Sequence, residues 1–178
     1  MSRLHTINPS EATGQAAQLF AAIKGAVGKV PNAYAVIGSN APEVLAHALQ
    51  TGALLKNGTL SARELETINL AVSEASGCDY CVAAHTMTGK MAGYTAEQTR
   101  ELRAGEYPQD SKIDALVRFA LAVATTSGTV PASVVANVRE AGYTDRQIVE
   151  SIQAISAILF TNMINRVNDT VIDFPKVA

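Results

Sequence analysis

The sequence predicts an all-α fold of about seven or eight helices packed as a single domain over residues 1–178. Three observations carry that expectation. Caps, glycines and prolines cut the chain into segments whose apolar residues recur with helical rather than alternating periodicity, and no segment reads as a strand. Apolar residues make up 48% of the chain and aromatic residues only 5%, with no Trp, so Ala, Leu, Ile and Val must fill the interior, a composition suited to closely packed helices. The length of 178 residues suits one core.

The first helix is expected from Ser10 to Val27, with Leu19, Ile23 and Val27 on one stripe, ending at the turn Gly28-Lys29-Val30-Pro31-Asn32. A short helix over Ala33 to Gly38 follows. Pro42 fits the first turn of a helix carrying Val44, Leu45, Ala48, Leu49 and Leu55, which Asn57-Gly58 stops. Ser61 with Glu64 forms a capping box opening the next helix, which reaches Ala75 before Ser76-Gly77 breaks it. A helix over Cys78 to Ala92 closes at Gly93.

Thr95 with Gln98, and Thr144 with Gln147, repeat the capping box inside the matching phrases Ala92-Gly93-Tyr94-Thr95 and Ala141-Gly142-Tyr143-Thr144. This reads as one turn chemistry used twice rather than as a duplication. Helices over Ser111 to Ser127 and Pro131 to Glu140 lie between them. A long last helix over Asp145 to Asn168 carries an apolar band, Ile148, Ile152, Ile155, Ala157, Ile158, Leu159 and Phe160, too broad for one buried face. Either subunit contacts or the chain's own helices must cover it.

A formal charge of -2 and a pI near 5.9, with no Lys/Arg cluster, argue against nucleic acid as a partner. The opening residues Met1-Ser2-Arg3-Leu4-His5-Thr6-Ile7-Asn8-Pro9 carry no apolar run of the signal-peptide kind, and no continuous apolar stretch has the length of a membrane span. The expectation is a cytoplasmic protein without a membrane partner.

Cys78 and Cys81 are the only cysteines. So small a loop constrains the unfolded chain little, so chemistry is a better reason for the pair than stability. At about 100° per residue, Cys78, Cys81 and His85 fall within roughly 60° of one helix face. A helix N-terminus stabilises a thiolate, the nucleophilic form of cysteine, and a second thiol within reach can condense with a sulfenic acid to form a disulfide. The helix dipole favours Cys78 as the attacking sulfur, whereas the one-turn spacing to His85 favours Cys81; on the residues alone the two stand opposed. A zinc site would need a fourth ligand, and His5 and His47 lack ligand spacing, so no metal is expected. Inert core thiols fit poorly with Asp79 and Tyr80 between them.

The run Leu60-Ser61-Ala62-Arg63-Glu64-Leu65-Glu66, then Leu70-Ala71-Val72-Ser73, then Gly77-Cys78-x-Tyr80-Cys81-x-x-x-His85, resembles the alkylhydroperoxidase D-like members of the carboxymuconolactone decarboxylase family. Val30-Pro31-Asn32 and Asn165-Arg166 extend the likeness to its peroxidase-related branch. The resemblance implies an alkylhydroperoxidase D-like helical bundle that assembles as a trimer or hexamer. It also implies a cofactor-free peroxidase cycle in which Cys81 attacks the peroxide and Cys78 resolves it. His85 and Glu66 then correspond to the proton relay, and a dithiol, such as a dihydrolipoyl group on a partner protein, to the reductant.

Helical rise supports Glu66 over the nearer Glu74. In an antiparallel pair turning at Gly77, Glu66 lies about 16 Å back along one helix and His85 about 12 Å along the other, nearly level. Tyr80 departs from the best-known alkylhydroperoxidase D proteins, which carry a histidine there. A phenol does not act as a base near pH 7, so Tyr80 is expected to orient the peroxide or His85, or to pack beside it. Two other functions compete: a redox sensor or disulfide-exchange module, and lactone or keto-acid chemistry like that of the family's namesake, whose members lack the cysteine pair.

Overall fold

The structure, a computed structural model, describes residues 2–177. Among these, a 3₁₀ turn over Pro9–Glu11 precedes nine α-helices: α1 (Gly14–Val27), α2 (Asn32–Asn40), α3 (Pro42–Lys56), α4 (Ala62–Ala75), α5 (Asp79–Met91), α6 (Ala96–Ala104), α7 (Ser111–Thr125), α8 (Ala132–Glu140) and α9 (Asp145–Asn168). The all-α expectation holds, with one helix more than the upper count.

α4 is the axis of the molecule, packed against α5, α6, α7 and α9. Its middle turns are enclosed on nearly every side, with Thr67, Ile68, Leu70, Ala71, Val72 and Ser73 fully buried. Ile68 and Val72 face one cluster, built with Leu116, Phe119, Ala154, Ile155 and Ile158 around the cysteines. Leu70 and Ala71 face another, with Tyr94, Leu102, Tyr107 and Val117. The capping boxes at Ser61, Thr95 and Thr144 all form. The two Gly-Tyr-Thr phrases are also the same device, since Gly93 and Gly142 both adopt φ 95° and each following tyrosine is buried.

A third cluster joins α1, α2 and α3 through Ala16, Phe20, Ile23, Val36, Ile37 and Leu45. Here the expected stripe is corrected: α1 buries Ala16, Phe20 and Ile23, while Leu19 is only partly covered and Val27 is 61% exposed. The helix also starts later than Ser10, because Asn8 caps the 3₁₀ turn and α1 begins only after the N-cap Thr13, at Gly14 with φ 59°. Gly38 sits against this cluster so closely that an added Cβ would lie 2.6 Å from Phe20 Cε1 and 2.7 Å from Leu45 Cδ2. Gly38→Ala is expected to destabilise the fold by about 1–3 kcal/mol through overpacking, read as a lower urea midpoint at unchanged slope.

α9 passes for a membrane-spanning helix by length and mean hydropathy alone. It packs against α2, α3, α4, α5 and α7, and turns Asn162, Asn165 and Asn168 inward. Its outward face carries Val149, Ile152, Met163 and Val167, all exposed.

Candidate active site

The turn between α4 and α5 sets the site. Gly77 takes φ 62°, open to glycine at little cost, and the N–H groups of Gly77 and Cys78 donate to the carbonyls of Glu74 and Ser73. The reversal is tight, so α4 and α5 run side by side and Glu66 meets His85. His85 Nδ1 lies 2.9 Å from Glu66 Oε2, as the helical-rise argument anticipated. A carboxylate only accepts, so Nδ1 carries the proton and Nε2 is the ring's acceptor nitrogen. Thr88 Oγ1 donates to the same carboxylate oxygen at 2.8 Å, and Asn69 approaches the other at 3.5 Å. Glu74 is elsewhere, paired with Arg103 Nε at 2.7 Å.

Cys78 is the N-cap of α5, its sulfur accepting from the Cys81 N–H at 3.4 Å. The two sulfurs are 2.7 Å apart and share a hydrogen bond. Both residues are buried and reduced. That sharing with Cys81, then the Cys81 N–H and the charges of His85 and Arg166, hold the Cys78 thiol below the usual thiol range despite burial. The same hydrogen bond, burial and the Cys78 charge push the Cys81 thiol up, against opposing hydrogen bonds from Asn165 and Thr161. Cys78 is therefore the more acidic thiol of the pair and Cys81 the less acidic.

A cavity of about 230 Å³ opens on Cys78 and is lined by Tyr80, Asn165, Arg166 and Thr170 among others; Cys81 does not line it. Cys81 lies behind, where Asn165 Nδ2 donates to its sulfur at 3.3 Å. A larger cavity of about 450 Å³ lies beside α5 and α6 and touches neither cysteine. Among the described residues, no group of three or more His, Cys, Asp and Glu side chains is disposed to hold a metal ion.

Of the predicted site residues, Cys78 meets Cys81 and His85 meets Glu66, while Tyr80 lines the same cavity as Cys78 with its hydroxyl turned to other partners. It accepts from the Ala33 N–H at 3.1 Å and donates to Asp173 Oδ1 at 2.8 Å, while its ring meets Phe174 edge-on. Burial, aided by Asp173, pushes its ionisation above the ordinary phenol range. Tyr80 is thus a strut fastening the segment after α9 to the start of α2. Asn32 adds a bond to the Val171 carbonyl, and Lys29 an ion pair with Asp173. Tyr80→Phe is expected to cost about 1–3 kcal/mol, because the Ala33 N–H loses its buried acceptor, and to increase hydrogen exchange over 170–175. Sequence reasoning missed Asp173 and Phe174, which carry no local signal. It gave Asn165 no role, although asparagines at three-residue spacing along an apolar helix (Asn162, Asn165, Asn168) mark a buried polar line.

The cysteine pair, His85 and Glu66 all fall within the segment that a comparison with known families picks out. Residues 42–110 match the model of the carboxymuconolactone decarboxylase family. That is the family the motif resembles, and the matched segment runs from the start of α3 to the N-cap of α7.

Solved structures extend the likeness of fold to nearly the whole chain. The alkylhydroperoxidase AhpD core protein of Ralstonia eutropha JMP134, an uncharacterized peroxidase-related protein, is 21% identical with a TM-score of 0.84, over 97% of this chain and 92% of its own. A peroxidase-related protein from Silicibacter sp. TM1040 is 20% identical with a TM-score of 0.77, over 96% and 94%. The debrominase Bmp8, whose C-to-A variant is known in complex with 2,3,4-tribromopyrrole, is 17% identical with a TM-score of 0.80, over 97% and 92%. No protein of curated function matches the sequence.

Proposed function

We propose that the protein reduces peroxides through a dithiol–disulfide cycle of Cys78 and Cys81. The observation that carries this reading is the pair of sulfurs 2.7 Å apart at the start of α5, with one of them facing a cavity. The His85–Glu66 pair and the peroxidase-related structures of the same fold support it.

The resemblance implied Cys81 as the attacking sulfur. Three features support Cys78 instead: it lines the cavity, it caps the helix, and its thiol is held below the usual range. In the proposed cycle the Cys78 thiolate attacks the terminal peroxide oxygen and the O–O bond breaks. The alkoxide leaves with the proton that Cys78 gave up to His85 Nε2 on forming its thiolate, the ring being held by Glu66 through Nδ1. The sulfenic acid on Cys78 is then attacked by the Cys81 sulfur; the S–S bond forms and water leaves with the Cys81 proton. A dithiol reductant, such as a dihydrolipoyl group on a partner, returns the pair to thiols and is itself oxidised to a disulfide. The exposed stripe of Val149, Ile152, Met163 and Val167 on α9 supports a homo-oligomer, a trimer or hexamer, around this site.

The test is peroxide turnover with dihydrolipoamide, thioredoxin and glutathione compared side by side, following the Cys78–Cys81 disulfide by mass spectrometry. Turnover with at least one dithiol, through that disulfide, is expected. A disulfide that forms but is never turned over favours a redox sensor. Activity on a lactone or keto acid that survives full thiol alkylation overturns the reading in favour of the family's namesake chemistry. Including 2,3,4-tribromopyrrole as an alternative oxidant separates peroxide reduction from reductive debromination by the same dithiol.

A further inference from the structure

The line of asparagines on α9 carries an inference that rests on the thiol-peroxidase reading and extends it. Asn168 is fully paired: its side-chain oxygen accepts from the N–H groups of Arg3 and Leu4, and its nitrogen donates to Thr170 Oγ1. The fold can therefore satisfy a buried asparagine whose work is structural. Asn165, one turn earlier and 4% exposed, is treated differently. Its Nδ2 donates to Cys81 Sγ at 3.3 Å, while its Oδ1 is buried with no hydrogen-bond partner. Leaving a buried carbonyl oxygen unpaired is costly, and such groups in native folds call for a reason. The same side chain lines the cavity onto which Cys78 opens.

We propose that Asn165 is a catalytic residue of the resolving step, its amide nitrogen holding the Cys81 sulfur and its amide oxygen receiving the hydroxyl of the sulfenic acid formed on Cys78. One rigid amide then spans both reactants. The S–S bond forms between Cys81 and Cys78, the S–O bond of the sulfenic acid breaks, and the hydroxide departs as water with the Cys81 proton. Asn165 gains and loses nothing; it aligns the attacking sulfur with the bond that breaks. When a reductant thiolate later attacks the Cys78 sulfur from the cavity, the Cys81 thiolate leaves into the same amide N–H bond.

The experiment is a single turnover of the fully reduced protein with one equivalent of hydrogen peroxide, quenched with dimedone, with sulfenic, disulfide and sulfinic forms counted by mass spectrometry. The wild-type protein is expected to pass to disulfide with little dimedone adduct. Asn165→Ala is expected to slow disulfide formation about 10- to 100-fold relative to formation of the Cys78 sulfenic acid. Its Cys78 adduct should therefore accumulate, and sulfinic acid with excess peroxide. Asn165→Asp, isosteric and retaining the oxygen acceptor, keeps the test open if the alanine variant folds poorly; it loses the donor to Cys81 and should also accumulate adduct. Disulfide formation at the wild-type rate in a folded variant, or adduct on Cys81 rather than Cys78, overturns the proposal. A wild-type protein that forms neither sulfenic acid nor disulfide overturns the peroxidase reading itself, a distinct result.

Discussion

Replacing Cys78 by serine is expected to bring peroxide consumption down to the level of a free thiol in solution, with helical content unchanged. The argument is positional. Cys78 is the sulfur on the cavity, the N-cap of α5, and the thiol held below the usual range. Serine keeps a side-chain acceptor for the Cys81 N–H, so the cap and the turn at Gly77 survive. The Cys81 sulfur left behind is buried, off the cavity, and deprived of its hydrogen-bonding neighbour. Cys81→Ser is expected to differ in kind, still oxidising once at Cys78 but then halting at the sulfenic acid and progressing to sulfinic acid. Both variants lose steady-state turnover, and the trapped adduct tells them apart. The depressed Cys78 thiol sets the sign of the pH dependence. Iodoacetamide should alkylate Cys78 in the wild-type protein at pH values below the ordinary thiol range, its rate falling only as pH drops through the lowered value.

The second large effect is expected at Glu66. Glu66→Gln keeps the shape and removes the charge that the His85 Nδ1–H and the Thr88 hydroxyl share. An amide can present its nitrogen to Nδ1, which forces the ring into the other tautomer or out of line and spoils proton delivery to the leaving alkoxide. The expected loss is about a hundredfold in kcat/KM for peroxide, within the usual span for a proton-transfer partner. Thr88→Val, which removes only one donor to that carboxylate, should cost far less. Glu74→Gln, on a carboxylate paired with Arg103 at the surface, should leave the rate unchanged. Steady-state kinetics of the three variants together separate a specific role for Glu66 from a general effect of negative charge near the site.

The parts of this account that were legible in the sequence are those fixed by local chemistry. Ser61 with Glu64, Thr95 with Gln98 and Thr144 with Gln147 announce their helices because both halves of a capping box lie within one turn, and all three form. The approach of Glu66 to His85 was legible for a related reason: two helices joined by a tight glycine turn have a register set by rise per residue. The α1 stripe was not, since Leu19 and Val27 are as apolar as Phe20, and only the packing of α2 and α3 decides which face is buried. Nor was the work of Tyr80. Its partners Ala33 and Asp173 are 47 and 93 residues away, and nothing local to any of the three residues foretells that they meet. The order of the two sulfurs is an intermediate case. The helix dipole and the His85 spacing pointed to different cysteines, and the cavity, which α5 and α9 form together, is what favours Cys78.

The central claim is that the Cys78–Cys81 pair is built to react with peroxide, and the rate of that one reaction tests it most directly. Stopped-flow mixing of the reduced protein with hydrogen peroxide and with an alkyl hydroperoxide, at a fixed pH, gives a second-order rate constant for thiol loss. The account predicts one disulfide per peroxide consumed, at a rate well above that of a free thiol under the same conditions, and loss of that advantage in Cys78→Ser. A rate no better than that of the free thiol with either oxidant would contradict it.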